Sequence, residues 1–191
     1  MQIKSVKKLT QYPHLNLYSI QYRDTLGGDN QWIYASRSDN ADPRRPPRDT
    51  PDAVVVVPFH LPSQCLVVIR EFRVVLGDYQ YGFPAGLVDR GESVVQAGRR
   101  ELFEETGLGV TRVMGQSPIL HSSSGLSDET VSLLRVECSG EPSTLHTEAS
   151  EDIEVLLLDR DAAKALTLED GSKFDVKTWI ILEQFASHGH I

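Results

Sequence analysis

Three glutamates within one short stretch, residues 86–108, are the side chains most able to do chemistry. Glu101 and Glu105 are four residues apart, and Glu104 follows Glu101 by three. On a helix this spacing brings the carboxylates onto or near one face, where like charges repel one another. A dense acidic cluster of this kind predicts a bound cation. Because carboxylate oxygens suit hard cations and no Cys or His cluster stands nearby, Mg2+ is the expected metal, with Mn2+ as the alternative.

The segment around these glutamates carries the signals of a helix with defined ends. Ser93 can cap the first turn, since its side-chain oxygen can accept a backbone N–H there. Good helix formers run over 94–106, and Gly107 stands where a left-handed C-cap residue is expected. Val95 and Leu102 are seven residues apart, so a second face is predicted to pack in the core. A solvated acidic helix paired with neighbouring arginines is the alternative interpretation.

The stretch GLVDRGESVVQAGRRELFEETGL, residues 86–108, resembles the Nudix box. Every defining position is filled, by Gly86, Glu92, Arg100, Glu101, Leu102, Glu104, Glu105, Gly107 and Leu108. Nudix enzymes cleave a diphosphate linked to a nucleoside moiety and use a divalent metal. The resemblance implies that Glu101 and Glu105 are the principal metal ligands. Glu104, Glu92 and the backbone carbonyl of Ala85 are expected to assist them.

Residues before the box extend the resemblance to the subgroup that hydrolyses ADP-ribose and other nucleoside diphosphate sugars. The sequence IREFR at 69–73, followed by YGFPAGLVDRGE, is similar to the stretch that precedes the box there. Arg70 and Arg73 would suit bidentate contacts to phosphate. A salt bridge at a strand edge is the alternative for both. Arg100, within the box, is expected to orient a box glutamate through an ion pair.

The segment HSSSGLSDE, residues 121–129, resembles the S-P-G-x-S-x-E loop of the same subgroup. Gly125 and Glu129 fit the pattern, whereas Ser124 stands where the subgroup has a proline, which leaves a broader sugar specificity open. Ser124 and Gly125 are expected to contact substrate. Glu129 is the expected general base, with Asp128 and a box glutamate as alternatives. Because the loop is rich in serine and glycine, we expect it to move and close over substrate.

The rest of the chain predicts an α/β fold, and the resemblance implies a Nudix α/β/α sandwich with a mixed sheet. Strands are predicted over 3–9, 15–22, 31–36, 53–60, 64–72, 111–122, 130–138 and 152–159, and further helices over 161–166 and 175–186. Asp29 and Asn30, after two glycines, are expected to form a hairpin turn. The proline- and arginine-rich residues 42–48 predict a linker. Trp179 is expected in the core.

Two domains are therefore predicted, a small N-terminal antiparallel β-subdomain over 1–50 and a hydrolase domain over 51–191. By resemblance, the β-subdomain forms a homodimer and completes the partner's pocket. Trp32 or Tyr34 could then stack on the base of the substrate.

Composition limits the classes of function. The chain has 191 residues, 40% of them hydrophobic, and a formal net charge of −8. No basic patch is evident, so nucleic-acid binding is not expected. No apolar run approaches membrane-spanning length and no leader-like segment opens the chain, so no membrane association is expected. Cys65 and Cys138 lie in apolar runs, which predicts two buried thiols in a reducing cytoplasm.

These features predict Mg2+-dependent hydrolysis of a nucleoside diphosphate sugar, such as ADP-ribose, to a nucleoside monophosphate and a sugar phosphate. One alternative is another diphosphate substrate of the family: a dinucleoside polyphosphate, coenzyme A or capped RNA. The other is a nucleotide sensor on the same fold that has no catalytic activity.

Overall fold

The computed structural model describes residues 1–46 and 49–191. The predicted linker therefore lies partly outside the described residues, and its described part, 42–46, forms neither helix nor strand. The chain divides into two compact units. The first contains residues 1–52 and 119–131, and the second contains 53–118 and 132–191. The first unit thus includes a segment that the sequence placed with the hydrolase domain.

The first unit is built on a three-stranded antiparallel sheet in the order β1-β2-β3. Its strands are β1 (Gln2–Lys8), β2 (Asn16–Arg23) and β3 (Asp29–Ser36). Tyr18 and Tyr34 are paired across β2 and β3, and their rings lie 5.7 Å apart, so both side chains leave the same face. With Ala41 they form the buried core of this unit.

The turn between β2 and β3 lies earlier than predicted. Asp29 and Asn30 already belong to β3. The turn is formed instead around Asp24, whose carboxylate accepts the N–H groups of Leu26 at 2.9 Å and Gly28 at 2.8 Å. A side chain that hydrogen-bonds its own turn fixes the turn at that residue, and Gly27 supplies the positive φ of 87°.

The predicted strand over 111–122 is interrupted. It forms β8 (Gly109–Gln116) and the short β9 (Leu120–His121), with Pro118 between them. Proline has no backbone N–H, which explains the break in the ladder. In the first unit, β9 pairs with the start of β10 (Thr130–Ser139) through His121 and Thr130.

The second unit contains most of an eight-stranded sheet whose main order is β11-β5-β4-β10-β8. The remaining strands are β4 (Ala53–His60), β5 (Cys65–Arg73), β6 (Asp78–Gly82), β7 (Ala85–Leu87) and β11 (Ile153–Leu158). The helices are α1 (Val94–Thr106), α2 (Arg160–Thr167) and α3 (Val176–His188). Two of these strands, β6 and β7, were not predicted, because they are short and carry no apolar run.

Helices α1 and α3 cover opposite faces of this sheet. Successive strand residues point to opposite faces. Val54 and Val56 of β4 pack with Leu102 of α1 in the main core, whereas Phe59 of β4 contacts Phe185 of α3. The predicted α/β/α arrangement is therefore confirmed.

Cys65 and Cys138 are free and buried, as expected. Trp179 is not in the core: it is 43% exposed, because α3 buries Thr178, Leu182 and Phe185 instead. Within the described residues, no helix is long and apolar enough to cross a membrane.

Candidate active site

Helix α1 has the ends that the sequence predicts. The Ser93 hydroxyl accepts the N–H of Gln96 at 3.3 Å, and the Gln96 side chain accepts the N–H of Ser93 at 2.9 Å. This reciprocal pair is a capping box. At the other end Gly107 has φ 70° and donates its N–H to the carbonyl of Phe103 at 2.8 Å. Both ends of α1 are therefore defined by local hydrogen bonds.

One face of α1 lies very close to the sheet. Leu102 and Ala97 are fully buried, and Val95 packs beside them. A Cβ added at Gly98 would lie 2.5 Å from a methyl carbon of Leu134, so this position accepts no side chain without movement of the core. The predicted core face of the helix is confirmed.

The carboxylates of α1 differ in burial. Glu101 and Glu105 are 8% and 4% exposed, whereas the Glu104 side chain is 45% exposed. The N–H of Ala85 in β7 donates to Glu105 Oε2 at 3.3 Å. The carboxylate of Glu105 therefore faces β7, the strand in which the box begins, close to the Ala85 backbone.

Arg100 is the centre of an ion-pair network with three box glutamates. Its Nη1 lies 2.6 Å from Glu101 Oε1 and 3.2 Å from Glu104 Oε2, and its Nη2 lies 3.0 Å from Glu92 Oε2. Nη2 also donates to the carbonyl of Leu87 at 2.9 Å. The planar guanidinium joins these acceptors in a fixed geometry. It thereby ties the start of the box to α1.

Gly86 lies against the carboxylate of Glu101. A Cβ added at Gly86 would come 1.9 Å from Glu101 Oε1 and 2.1 Å from its carboxyl carbon. No other residue type fits there without displacing that carboxylate. The first glycine of the box is therefore required by the position of Glu101.

Burial and like charge both disfavour the ionised form of these glutamates. Burial, together with the charges of Glu101, Glu151 and Glu71, raises the pKa of Glu105 to about 9. Burial also raises the pKa of Glu101, against the opposing effect of Arg100. A divalent cation would offset these costs, and carboxylate and carbonyl oxygens are the ligands that Mg2+ and Mn2+ accept. The residues present therefore fit such a cation.

The side chains are not arranged as a ligand set in the structure. Among residues 1–46 and 49–191, no three acidic, His or Cys side chains converge closely enough to hold one ion. Glu101 and Glu104 are turned towards Arg100 instead.

Two acidic residues that the sequence did not single out lie near this cluster. Glu71 of β5 and Glu151 of the loop 140–152 both raise the pKa of Glu105 through their charge. They are neighbours, because Glu71 pairs with Ile153, two residues after Glu151. Glu71 is part of IREFR, in which the sequence pattern indicates a role for the arginines alone. Glu151 lies 46 positions after Glu105, so no local spacing could have indicated it.

Arg70 and Arg73, predicted as phosphate contacts, take part in ion pairs along β5. Arg70 Nη1 lies 3.6 Å from Glu154 Oε2, and its guanidinium lies 4.0 Å from the ring centre of Tyr79. Arg73 Nη1 lies 2.8 Å from Glu71 Oε1. Both side chains are partly exposed, so these ion pairs are weak and can be exchanged for a ligand.

The first unit contains a cavity of about 830 Å3 that three predicted substrate residues line, Trp32, Tyr34 and Ser124. Asp128, an alternative candidate for the general base, also lines it. Trp32 is half exposed, and its Nε1–H donates to the carbonyl of Gly125 at 3.3 Å. Tyr34 is buried and its hydroxyl donates to the carbonyl of Ala41. Trp32 therefore offers a more accessible ring than Tyr34.

The loop 122–129 is held against β3. The N–H of Ala35 donates to the Leu126 carbonyl at 2.8 Å, and the Ala35 carbonyl accepts the N–H of Asp128 at 3.3 Å. Glu129 accepts hydrogen bonds from Arg37 at 3.1 Å and Ser122 at 2.9 Å. Each of these contacts lies within the first unit.

The predicted site residues thus form two groups. The second unit brings together Ala85, Glu92, Arg100, Glu101, Glu104 and Glu105, and also carries Arg70 and Arg73. The first unit contains Trp32, Tyr34, Ser124, Gly125 and Glu129.

Comparison with known proteins gives a consistent picture. The family model described as the NUDIX domain matches residues 49–184 of this chain. An ADP-sugar pyrophosphatase of Mus musculus is 38% identical over 93 residues, which cover 47% of this chain and 42% of the mouse protein. An ADP-ribose pyrophosphatase of Saccharomyces cerevisiae is 26% identical over 139 residues, which cover 72% of this chain and 58% of the yeast protein. The matches span about half the length of these relatives.

A solved structure has the same fold. The crystal structure of an ADP compounds hydrolase superposes with a TM-score of 0.70 and covers 100% of this chain and 96% of that one. The sequence identity is 19%, so the similarity concerns the fold.

Proposed function

The chain belongs to the NUDIX domain family, and from that premise we propose that it hydrolyses the diphosphate of nucleoside diphosphate sugars such as ADP-ribose. The products would be a nucleoside monophosphate and a sugar phosphate. The observation that carries this proposal is the buried pair Glu101 and Glu105 on a doubly capped helix, with Arg100 beside them. The names of the mouse and yeast relatives support the choice of substrate.

Glu101 and Glu105 would hold a divalent cation, assisted by Glu104, Glu92 and the carbonyl of Ala85. We propose Mg2+, with Mn2+ able to replace it, because all the donors are oxygens. The bound cation would stabilise charge on the phosphoryl oxygens and make an attacking water more acidic. Arg100 would keep the box glutamates in place, since it already bridges three of them.

Substrate binding would draw on cationic and aromatic side chains. Arg70 and Arg73 would exchange their exposed ion pairs for diphosphate oxygens. In the first unit, Trp32 is proposed to stack on the base, with Ser124 and Gly125 contacting the ligand. The cavity beside Trp32 is wide enough for a ligand group, which supports this assignment.

Two residues, Glu129 and Glu151, are the leading candidates for the general base. Glu129, from the sequence pattern, is partly exposed and bound to Arg37 and Ser122. Glu151 lies beside Glu71, next to the box carboxylates. Either would accept a proton from the attacking water, with Asp128 or a box glutamate as further alternatives.

We also propose a homodimer formed through the sheet of the first unit. Leu17 and Ile33 lie on the same face of β2 and β3, opposite to the tyrosine core, and are 43% and 52% exposed. A small sheet with an exposed apolar face gains stability from a partner.

We also propose a cytoplasmic location, because both cysteines are free, buried thiols and a reducing compartment keeps thiols free.

A substrate panel tests the proposed function. The protein with Mg2+ is offered ADP-ribose, other nucleoside diphosphate sugars, a dinucleoside polyphosphate, coenzyme A and capped RNA. A phosphatase then releases phosphate from any monoester formed. The proposal expects the highest kcat/KM with a diphosphate sugar. Preference for another compound would assign a different substrate, and binding of ADP-ribose without turnover of any compound would indicate a nucleotide sensor.

A further inference from the structure

The loop between β10 and β11, residues 140–152, passes close to the C-terminal end of α1. The N–H of Ser143 donates to the carbonyl of Thr106, in the last turn of the helix, at 2.8 Å. A Cβ added at Gly107 would lie 2.9 Å from the Cβ of Ser143. The loop therefore begins in van der Waals contact with the helix that carries the box glutamates.

Three residues further on, the loop makes a ring contact with the same helix. The imidazole of His146 stacks on the ring of Phe103, with centroids 4.7 Å apart and planes 26° from parallel. Phe103 is 46% exposed, so it adds little to the core. It lies between Leu102, which is fully buried, and Glu104. The stack thus joins an exposed position of α1 to the middle of the loop.

The second half of the loop carries Glu151 and is fixed to the sheet at its end. The N–H of Glu151 donates to the Glu148 carbonyl at 3.0 Å, and the Glu148 N–H donates to Glu151 Oε2 at 2.9 Å. Next to Glu151, the carbonyl of Asp152 accepts the N–H of Phe72 at 3.0 Å, and its carboxylate accepts the Tyr79 hydroxyl at 2.5 Å. Glu151 therefore sits in a short turn between two attachment points.

We propose that the stack of His146 on Phe103 is a latch that positions Glu151 beside the box carboxylates. The loop is attached to α1 at Ser143 and His146, and to β5 and β6 at Asp152. If the stack is lost, residues 144–151 are held only at their two ends, by Ser143 and Asp152, and the turn that carries Glu151 can swing away from the helix. Phe103 and His146 are thus positioning residues. The inference rests on the proposed function, because the position of Glu151 affects the rate only if Glu151 takes part in hydrolysis.

Kinetics of four variants and one control variant test the latch. For Phe103→Ala and His146→Ala we expect kcat for ADP-ribose to fall about three- to tenfold, the effect of losing one aromatic pair. KM should stay within about twofold. The double variant should lose no more than the worse single variant, because both changes remove one interaction. His146→Phe keeps a ring and should restore kcat. Leu145→Ala, at an adjacent side chain that is 88% exposed, is the matched control and should match the parent.

Hydrogen exchange separates a failure of the latch from a failure of the proposed function. In Phe103→Ala the amides of Glu148 and Glu151 should exchange faster, while those of β11 keep the parent rate. Unchanged exchange in the loop would overturn the latch whatever the substrate. Parent-level kcat in both single variants, or full addition of their losses in the double variant, would overturn it as well. Faster loop exchange in a protein that turns over no diphosphate sugar would keep the latch and refute the proposed function.

Discussion

At the scale of single residues, the burial of the carboxylates of α1 separates their roles. Glu105 is almost fully buried, and its pKa is raised to about 9, first by burial and then by neighbouring negative charges. The Glu104 side chain is nearly half exposed. A buried carboxylate that costs stability when ionised is typical of a functional site rather than a structural ion pair. Glu105 is therefore the most informative position to change.

Glu105→Gln keeps the shape of the side chain and removes its charge. We expect kcat to fall at least about a hundredfold, or roughly 2.7 kcal/mol, because the charge needed to hold the cation is lost. The metal-free protein should nevertheless become more stable at pH 8. The folded state retains the Glu105 proton up to about pH 9, whereas the unfolded chain releases it near pH 4.5, so folding loses stability as the pH rises between these values.

Thermal unfolding in EDTA measures the stability effect, and each kcal/mol gained raises Tm by about 2–4 °C for a chain of this length. The gain should vanish below pH 4.5, where the parent carboxylate is protonated in both states. Glu104→Gln is the control, and its Tm should stay near that of the parent because its side chain is exposed. A kcat within threefold of the parent would exclude Glu105 as a principal ligand.

The identity of the general base is the second question at this scale. Removing the base should lower kcat about 10^2- to 10^4-fold and leave KM almost unchanged. We expect this result from one of Glu129→Gln and Glu151→Gln, measured beside Asp128→Asn. Since Asp128 accepts a hydrogen bond from Ser36, its variant also reports on the fold of the first unit. Near-normal kcat in all three variants would return the role to a box glutamate.

At the scale of elements, the turn from β7 into the box depends on one close approach. Gly86→Ala would place a methyl group about where the Glu101 carboxylate lies, since the added Cβ falls 1.9 Å from its oxygen. We expect a large loss of kcat, on the order of a hundredfold or more, because the ligand must move. Gly109→Ala is the matched control: its nearest heavy atom lies 3.9 Å away and its φ is not positive. Activity near the parent level in Gly86→Ala would show that Glu101 can move freely.

Elements with local signals could be predicted and those without could not. The ends of α1 follow from Ser93 and Gly107, whose capping chemistry involves only nearby residues. Strands β6 and β7 escaped prediction because pairing with β5 and β4, rather than their own sequence, makes them strands. The exposure of Trp179 depends on which face of α3 meets the sheet, which the apolar residues on both sides of that helix leave undecided.

The same distinction applies to the candidate site. The box glutamates and Arg100 are close in sequence, so their spacing on a helix predicts that their side chains lie close together. Glu71 and Glu151 join them only through strand pairing across the second unit. Spacing along a single sequence does not indicate contacts between distant strands, so neither residue could be predicted as part of the site.

At the scale of the whole molecule, the exposed apolar face of the first unit predicts self-association. Light scattering should give about twice the chain mass of 21.3 kDa. The pair of changes Leu17→Glu and Ile33→Glu should give a monomer, because two charges cannot be buried unpaired in an interface. Leu26→Glu is the control, since Leu26 is 96% exposed in the turn outside this face. A parent protein that is monomeric at micromolar concentration and fully active would contradict the proposed dimer.

The proposed function of the whole molecule depends on a carboxylate-held cation acting on a sugar diphosphate. The most direct measurement is the turnover of ADP-ribose in EDTA and after addition of Mg2+ or Mn2+, with the products separated by chromatography. The proposed function predicts no turnover in EDTA and recovery with either metal. It also predicts AMP and ribose 5-phosphate as the products, with Glu105→Gln close to inactive throughout. Undiminished turnover in EDTA, or products other than these two monophosphates, would contradict it.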